Sequence, residues 1–215
     1  MKVKLQLIFK RLYTAFGPQH WWPGESAFEV MVGAILTQST SWSNVEKAIS
    51  NLKKKKLLDA AKLYSLPTGK LAGLIKSAGY YNIKAARLKS FLKFFVGRYG
   101  ADIRRMRQEP AGILRQQLLA VKGIGPETAD SILLYALQKP VFVVDAYTKR
   151  IFSRHNLARP DAPYSQVQEF FMQHLKKDPE LFNEYHALLV RLGKDYCRKQ
   201  NPKCEICPLW SIKNV

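Results

Sequence analysis

Cysteine is nearly missing from this chain of 215 residues: there are 3, and none precedes Cys197. That excludes a disulfide framework, and an odd, closely spaced set at one end points instead to a metal or cluster site in a reducing cytoplasm. Acidic residues are also scarce, 16 Asp and Glu against 35 Lys and Arg, which leaves a formal charge of +19. Such an imbalance raises nucleic acid or an anionic membrane as a partner, the alternative being a merely soluble basic protein. No apolar run approaches the roughly 18–20 residues of a membrane span, so an integral membrane protein is excluded. The basic start MKVKLQLIFKRLYTAFG leaves too short an apolar stretch between Lys4 and Lys10 for a signal peptide. Leu5, Ile8, Leu12 and Phe16 share one helical face there, which predicts a docked N-terminal helix.

Neither disorder nor low complexity fits 47% hydrophobic residues with 12 glycines and 11 prolines. The length suggests two lobes sharing one cleft. Strand-like alternation is missing as well. FEVMVGAILTQ, AARLKSFLKFFVGRY, ILRQQLLAV, TADSILLYAL and EYHALLVRLGKDY all repeat apolar residues at helical spacing, so the expected class is all-α. PVFVV, residues 140–144, reads as an apolar connector, and Lys53 to Lys56 read as a solvated face.

The chemistry concentrates in VKGIGPETAD, residues 121–130. An apolar helix ends at Gly-Ile-Gly, and Pro126 suits the first position of the next helix because it has no N–H to satisfy. Gly123 and Gly125 permit positive φ and close backbone approach, Ile124 can anchor the turn, and the outward amides with Lys122 can hold a phosphate without reading sequence. An ordinary helix–helix turn would use the same residues. Downstream, an apolar stretch ends in Asp145, which heads AYTKRIFSRH. Asp145 is a good helix N-cap, and the same carboxylate can stabilise a cationic sugar or activate a water.

A G-h-G hairpin followed by an aspartate at this distance resembles the endonuclease III superfamily of helix-hairpin-helix (HhH-GPD) DNA glycosylases. The resemblance extends over nearly the whole chain through GAILTQST, SAGYYNIKAARL, VVDAYTKRI and HALLVRLGKDYC. Among its branches, WWPGESAFEVMVGAILTQST, GYYNIKAARL and KGIGPETADSILLYA are most similar to the 3-methyladenine glycosylases of the MagIII type. The resemblance implies two helical lobes: a six-helix barrel over residues 25–138 containing the hairpin, and a second lobe from 1–24 with 139–215. Double-stranded DNA with a damaged base would be gripped at their junction by a monomeric, nucleoid-associated cytoplasmic enzyme, and the flipped base hydrolysed from its sugar with Asp145 as the catalytic residue.

Trp21, Trp22 and Trp42 are the candidates to stack on the extruded base, although each also suits a core. By resemblance Gln38 enters the gap left by the flipped nucleotide, and Tyr80 wedges between bases of the opposite strand. The lyase branch carries an amine nucleophile two residues after the second hairpin glycine, where this chain has Glu127. Glu127 is therefore either a pocket residue or an acid favouring the dipole of its helix. Both readings imply a glycosylase without lyase activity. The alternatives are a glycosylase/lyase on oxidised pyrimidines and a DNA-binding module without chemistry, against which the retained Asp145 weighs. Cys197, Cys204 and Cys207 are similar to the first three ligands of the family's 4Fe-4S cluster, and the fourth position holds Lys213. That set leaves open an outside fourth ligand, a labile cluster or a degenerate site.

Overall fold

The computed structural model describes residues 2–214, the side chains of Lys213 and Asn214 excepted. Its α-helices are, in order, α1 (Lys2–Phe16), α2 (Ala27–Leu36), α3 (Trp42–Lys54), α4 (Ala60–Ser65), α5 (Thr68–Leu74) and α6 (Tyr81–Tyr99). There follow α7 (Ile103–Gln108), α8 (Ala111–Leu119), α9 (Pro126–Ser131), α10 (Ala146–Arg154), α11 (Tyr164–His174) and α12 (Pro179–Asp195). No strand occurs among the described residues. The chain is all-α, as its apolar spacing predicts.

Two compact units divide it, one running from Pro23 to Lys139 and the other joining the residues through Trp22 to those from Pro140 onward. The continuous unit holds α2 to α9. Its central helix α2 is buried along its whole length from Phe28 to Leu36 and starts at Ser26, whose hydroxyl accepts from Glu29 N at 3.2 Å. Phe28 stacks on Phe95 of α6, and Phe95 on Phe91, with ring centroids 6.1 and 5.8 Å apart. The lysine run departs from the solvated-face expectation at its first member. Lys53 keeps a side-chain exposure of 33% and pairs with Glu25 at 2.8 Å and Glu29 at 2.9 Å, while Lys54 to Lys56 are exposed. Glu29 is itself buried, so the ammonium offsets the cost of enclosing a carboxylate.

In the second unit α1 buries Leu5, Ile8 and Leu12, and Leu5 O accepts from Tyr185 Oη of α12 at 2.9 Å. The connector before Asp145 has no regular structure, yet Val141 to Val144 are all buried. Phe142 lies flat on Phe171 of α11, 3.7 Å between centroids, with Phe182 and Tyr185 edge-on. An irregular segment thus supplies the centre of this core and fixes where Asp145 emerges.

Candidate functional site

The hairpin joins α8 to α9. Arg115 of α8 grips the fully buried Asp130 of α9 through two hydrogen bonds, Nε–Oδ1 2.7 Å and Nη2–Oδ2 3.0 Å, which clamps the two helices. Ile124 is buried and anchors the turn, while Lys122, Gly125 and Glu127 are exposed. Pro126 is the first residue of α9.

The two glycines serve different ends, and only one of them uses positive φ. Gly123 has φ +91°, and a Cβ there would strike the aliphatic part of Arg87. Gly125 has φ −94° and ψ 178°, extended backbone open to any residue, and a Cβ there would meet no protein atom within 4 Å. The fold therefore requires Gly123 to be glycine and makes no such demand at Gly125.

Gln38 follows α2 and is tied to this hairpin. Its Nε2 donates to Gly123 O at 3.1 Å and to Thr128 Oγ1 at 2.9 Å, and its Oε1 accepts from Arg87 Nη1 at 2.5 Å. Tyr80 precedes α6 in the left-handed region, φ 45° and ψ 34°, with 70% of its surface exposed. Trp42 opens α3 half-buried, its indole donating to Glu46 Oε1 at 2.8 Å.

One buried cation underpins both loops. Lys84 of α6 is 1% exposed and donates to Leu36 O at 2.8 Å, just before Gln38, and to Ala78 O at 2.6 Å, just before Tyr80. Burial lowers its pKa, with Arg87 adding to the effect. Lys84→Met keeps the stem volume and strands two carbonyls at helix ends, so we expect a loss of about 2–4 kcal/mol in urea unfolding. A change below the error of the measurement would show that water replaces the ammonium.

In the other unit Asp145 caps α10. Its Oδ1 accepts from Thr148 N at 2.7 Å and from Thr148 Oγ1 at 2.8 Å, and its side chain is 12% exposed. Oδ2 lies 3.7 Å from His186 Nε2 on α12. Burial lowers the pKa of His186, against the pull of Asp145, so the ring is neutral at neutral pH. Alongside, Gly193 of α12 takes the ring of Tyr147, which a Cβ would strike, so α10 and α12 approach closely. Trp21 and Trp22 are half-buried against one another, centroids 5.4 Å apart, with the Lys194 ammonium 5.9 Å from the Trp21 ring.

Cys197, Cys204 and Cys207 line one cavity together with Arg154, His155 and Trp210. Arg154 Nη1 donates to Cys197 Sγ at 3.3 Å. Among the described residues no three His, Cys, Asp or Glu side chains converge as a site for a single metal ion. Lys213, at the family's fourth ligand position, has its side chain outside the described residues. Three thiols of matching chemistry thus share one cavity, which fits three corners of a cluster.

Sequence reasoning missed Lys84, Arg87, Thr128, Thr148, His155 and His186. Lys84 and Arg87 lie within NIKAARL, where a charged residue reads as a solvated face, and His186 lies in an apolar helix, where it reads as core.

A family model described as HhH-GPD superfamily base excision DNA repair protein matches residues 32–177. A Methanocaldococcus jannaschii protein, MJ1434, provisionally named a DNA repair glycosylase, is 50% identical over 203 residues, 94% of this chain and 92% of its own length. Endonuclease III of Thermotoga maritima is 29% identical over 184 residues, 84% of this chain and 79% of that enzyme. Among solved structures, the Helicobacter pylori 3-methyladenine DNA glycosylase MagIII bound to 1,N6-ethenoadenine superposes with a TM-score of 0.77 at 29% identity, covering 89% of this chain and 97% of that one. An endonuclease III–DNA complex at 22% identity shares the fold, TM-score 0.84, over 99% of this chain and 94% of that one. With the hairpin and Asp145 in place within the matched residues, the chain belongs to the HhH-GPD superfamily of base excision DNA repair proteins and is a DNA glycosylase of that superfamily.

Proposed function

We propose that the protein is a monofunctional, monomeric DNA glycosylase that removes an alkylated purine such as 3-methyladenine from duplex DNA. The observation that carries this reading is the setting of Asp145: one carboxylate oxygen is held by Thr148 and the other is turned toward a neutral imidazole. As the N-glycosidic bond breaks, its electron pair leaves with the base and the sugar becomes an oxocarbenium-like cation. The fixed carboxylate stabilises that charge, then takes a proton from the water that adds to C1′. The alkylated-purine preference is supported by the likeness to MagIII and by Trp21, Trp22 and Trp42, aromatic surfaces suited to an electron-poor base. Gln38, Tyr80, Lys122 and the hairpin Gly123-Ile124-Gly125 act on the DNA backbone and the vacated stack. Cys197, Cys204 and Cys207 would hold a 4Fe-4S cluster, whose contribution is to tie down the C-terminal segment that carries Arg198, Lys199 and Lys203.

Glu127 makes the absence of lyase activity part of this reading. It is exposed in the first turn of α9, at the place of the lyase amine, and a carboxylate forms no imine. The test is incubation with duplexes bearing 3-methyladenine, 7-methylguanine, ethenoadenine or an oxidised pyrimidine, with and without borohydride. We expect release of 3-methyladenine, an alkali-sensitive abasic site and no covalent adduct. A stoichiometric borohydride adduct, or strand breaks that keep pace with base release, would assign the amine role to another residue and make the enzyme a lyase.

A further inference from the structure

We infer that His155 supplies the fourth ligand of the iron–sulfur cluster held by Cys197, Cys204 and Cys207. This rests on the cluster reading above and adds to it a residue outside the cysteine-rich segment.

The end of α10 delivers two consecutive residues to the cysteine cavity. Arg154, the last residue of the helix, donates to Cys197 Sγ at 3.3 Å, and to Arg198 O at 2.7 Å and Lys199 O at 3.1 Å. His155, the next residue, is the C-cap and lines the same cavity while 7% exposed. Arg154 thus fastens the loop carrying Cys197 to the helix end on which the imidazole stands.

Donor chemistry narrows the choice. The other cavity residues with a nitrogen or oxygen donor are Arg154, Lys203, Tyr196 and Trp210. Guanidinium and ammonium groups must lose a proton before they bind a metal, and an indole N–H offers no lone pair. A phenol must also ionise. An unprotonated imidazole has a lone pair on a ring nitrogen to offer, and iron–sulfur centres accept histidine in place of cysteine. A single zinc is disfavoured because its ligand atoms must converge to about 2.0–2.3 Å from one point, and no such convergence occurs among the described residues. A cluster binds each protein ligand to a different iron and so suits donors spread around a cavity. Replacing one thiolate by imidazole removes a negative charge, which raises the reduction potential.

The experiment uses the full chain, prepared without oxygen and reconstituted with iron and sulfide, from cells fed 15N-histidine. Pulsed electron paramagnetic resonance of the reduced cluster is expected to show coupling to a histidine nitrogen. His155→Cys is expected to keep the iron and lose that coupling, whereas His155→Ala is expected to lose most of the iron with its helical circular dichroism unchanged. A cluster in the wild type without nitrogen coupling, or His155→Ala with unchanged iron and spectrum, overturns the assignment of His155 and leaves the cluster reading standing. A folded wild type that takes up no iron, or holds one zinc instead, overturns the cluster reading itself and the ligand assignment with it.

Discussion

Asp145→Asn is expected to slow base release by about 10²–10³-fold with little change in stability or in affinity for DNA, the scale seen when one preorganised electrostatic group is removed. The geometry makes this substitution clean. Asparagine keeps an Oδ1 that accepts from Thr148 N and Oγ1, so the α10 cap survives, since Asn and Asp cap about equally well. What disappears is the negative charge, which matters when the sugar turns cationic, so the loss falls on kcat rather than KM. Single-turnover release of 3-methyladenine, with DNA affinity and thermal unfolding measured alongside, checks it. Near wild-type release by the variant would remove Asp145 from the mechanism. The neighbouring ring gives the pH side of the same prediction. The folded-state pKa of His186 lies below its ordinary 6.5. The unfolded chain therefore takes up that proton first, and stability present above about pH 6.5 is lost as pH falls toward the depressed value.

Binding to undamaged duplex is expected to weaken by about 10³-fold or more between 50 and 200 mM salt and to ignore base sequence, as for proteins that neutralise roughly six or more phosphates. The chain's +19 charge supplies the counter-ions' replacement, and the proposed hairpin contact, backbone amides on phosphate, is the same over every base. Gly125→Leu isolates the hairpin's share. Its extended φ and the empty space at its Cβ predict a folded variant whose affinity falls by the same factor on all sequences. Gly123 is the wrong residue for this test, because its positive φ and the packing of Arg87 against it would confuse binding with folding. Fluorescence anisotropy over a salt series reads both results. Affinity that stays flat with salt would contradict the phosphate-binding role of this surface.

Helix spacing, the Pro126 start of α9 and the capping role of Asp145 were legible in the sequence because each depends on neighbours within a turn or two. What was not legible depends on residues far apart in the chain. A glycine announces permissiveness without saying what uses it, and only the contact with Arg87 separates the need for Gly123 from the openness at Gly125. Lys53 sits in a run of four lysines, and nothing local distinguishes it from its neighbours until α2 brings Glu29 beside it. His186 and Asp145 meet because α10 packs on α12 across Gly193, a contact between segments separated by the whole of α11. The cysteine spacing kept three thiols close in the chain, and the structure brings them to one cavity, while His155 carried no signal of its own, since its place beside that cavity comes through the end of α10.

The enclosure of Lys84 makes its amine a clock. Reagents that acylate or reductively methylate amines act on the unprotonated nitrogen and need room around it. Exposed lysines such as Lys54 and Lys122 have that room at every moment, whereas Lys84 gains it only when the segments ending at Leu36 and Ala78 part from α6. Its labelling rate, divided by that of an exposed lysine in the same molecule, therefore reports how often this frame opens. A single modified peptide resolved by mass gives that number without any engineered probe, and if DNA seats on Gln38 and Tyr80 as proposed, its addition is expected to slow the clock.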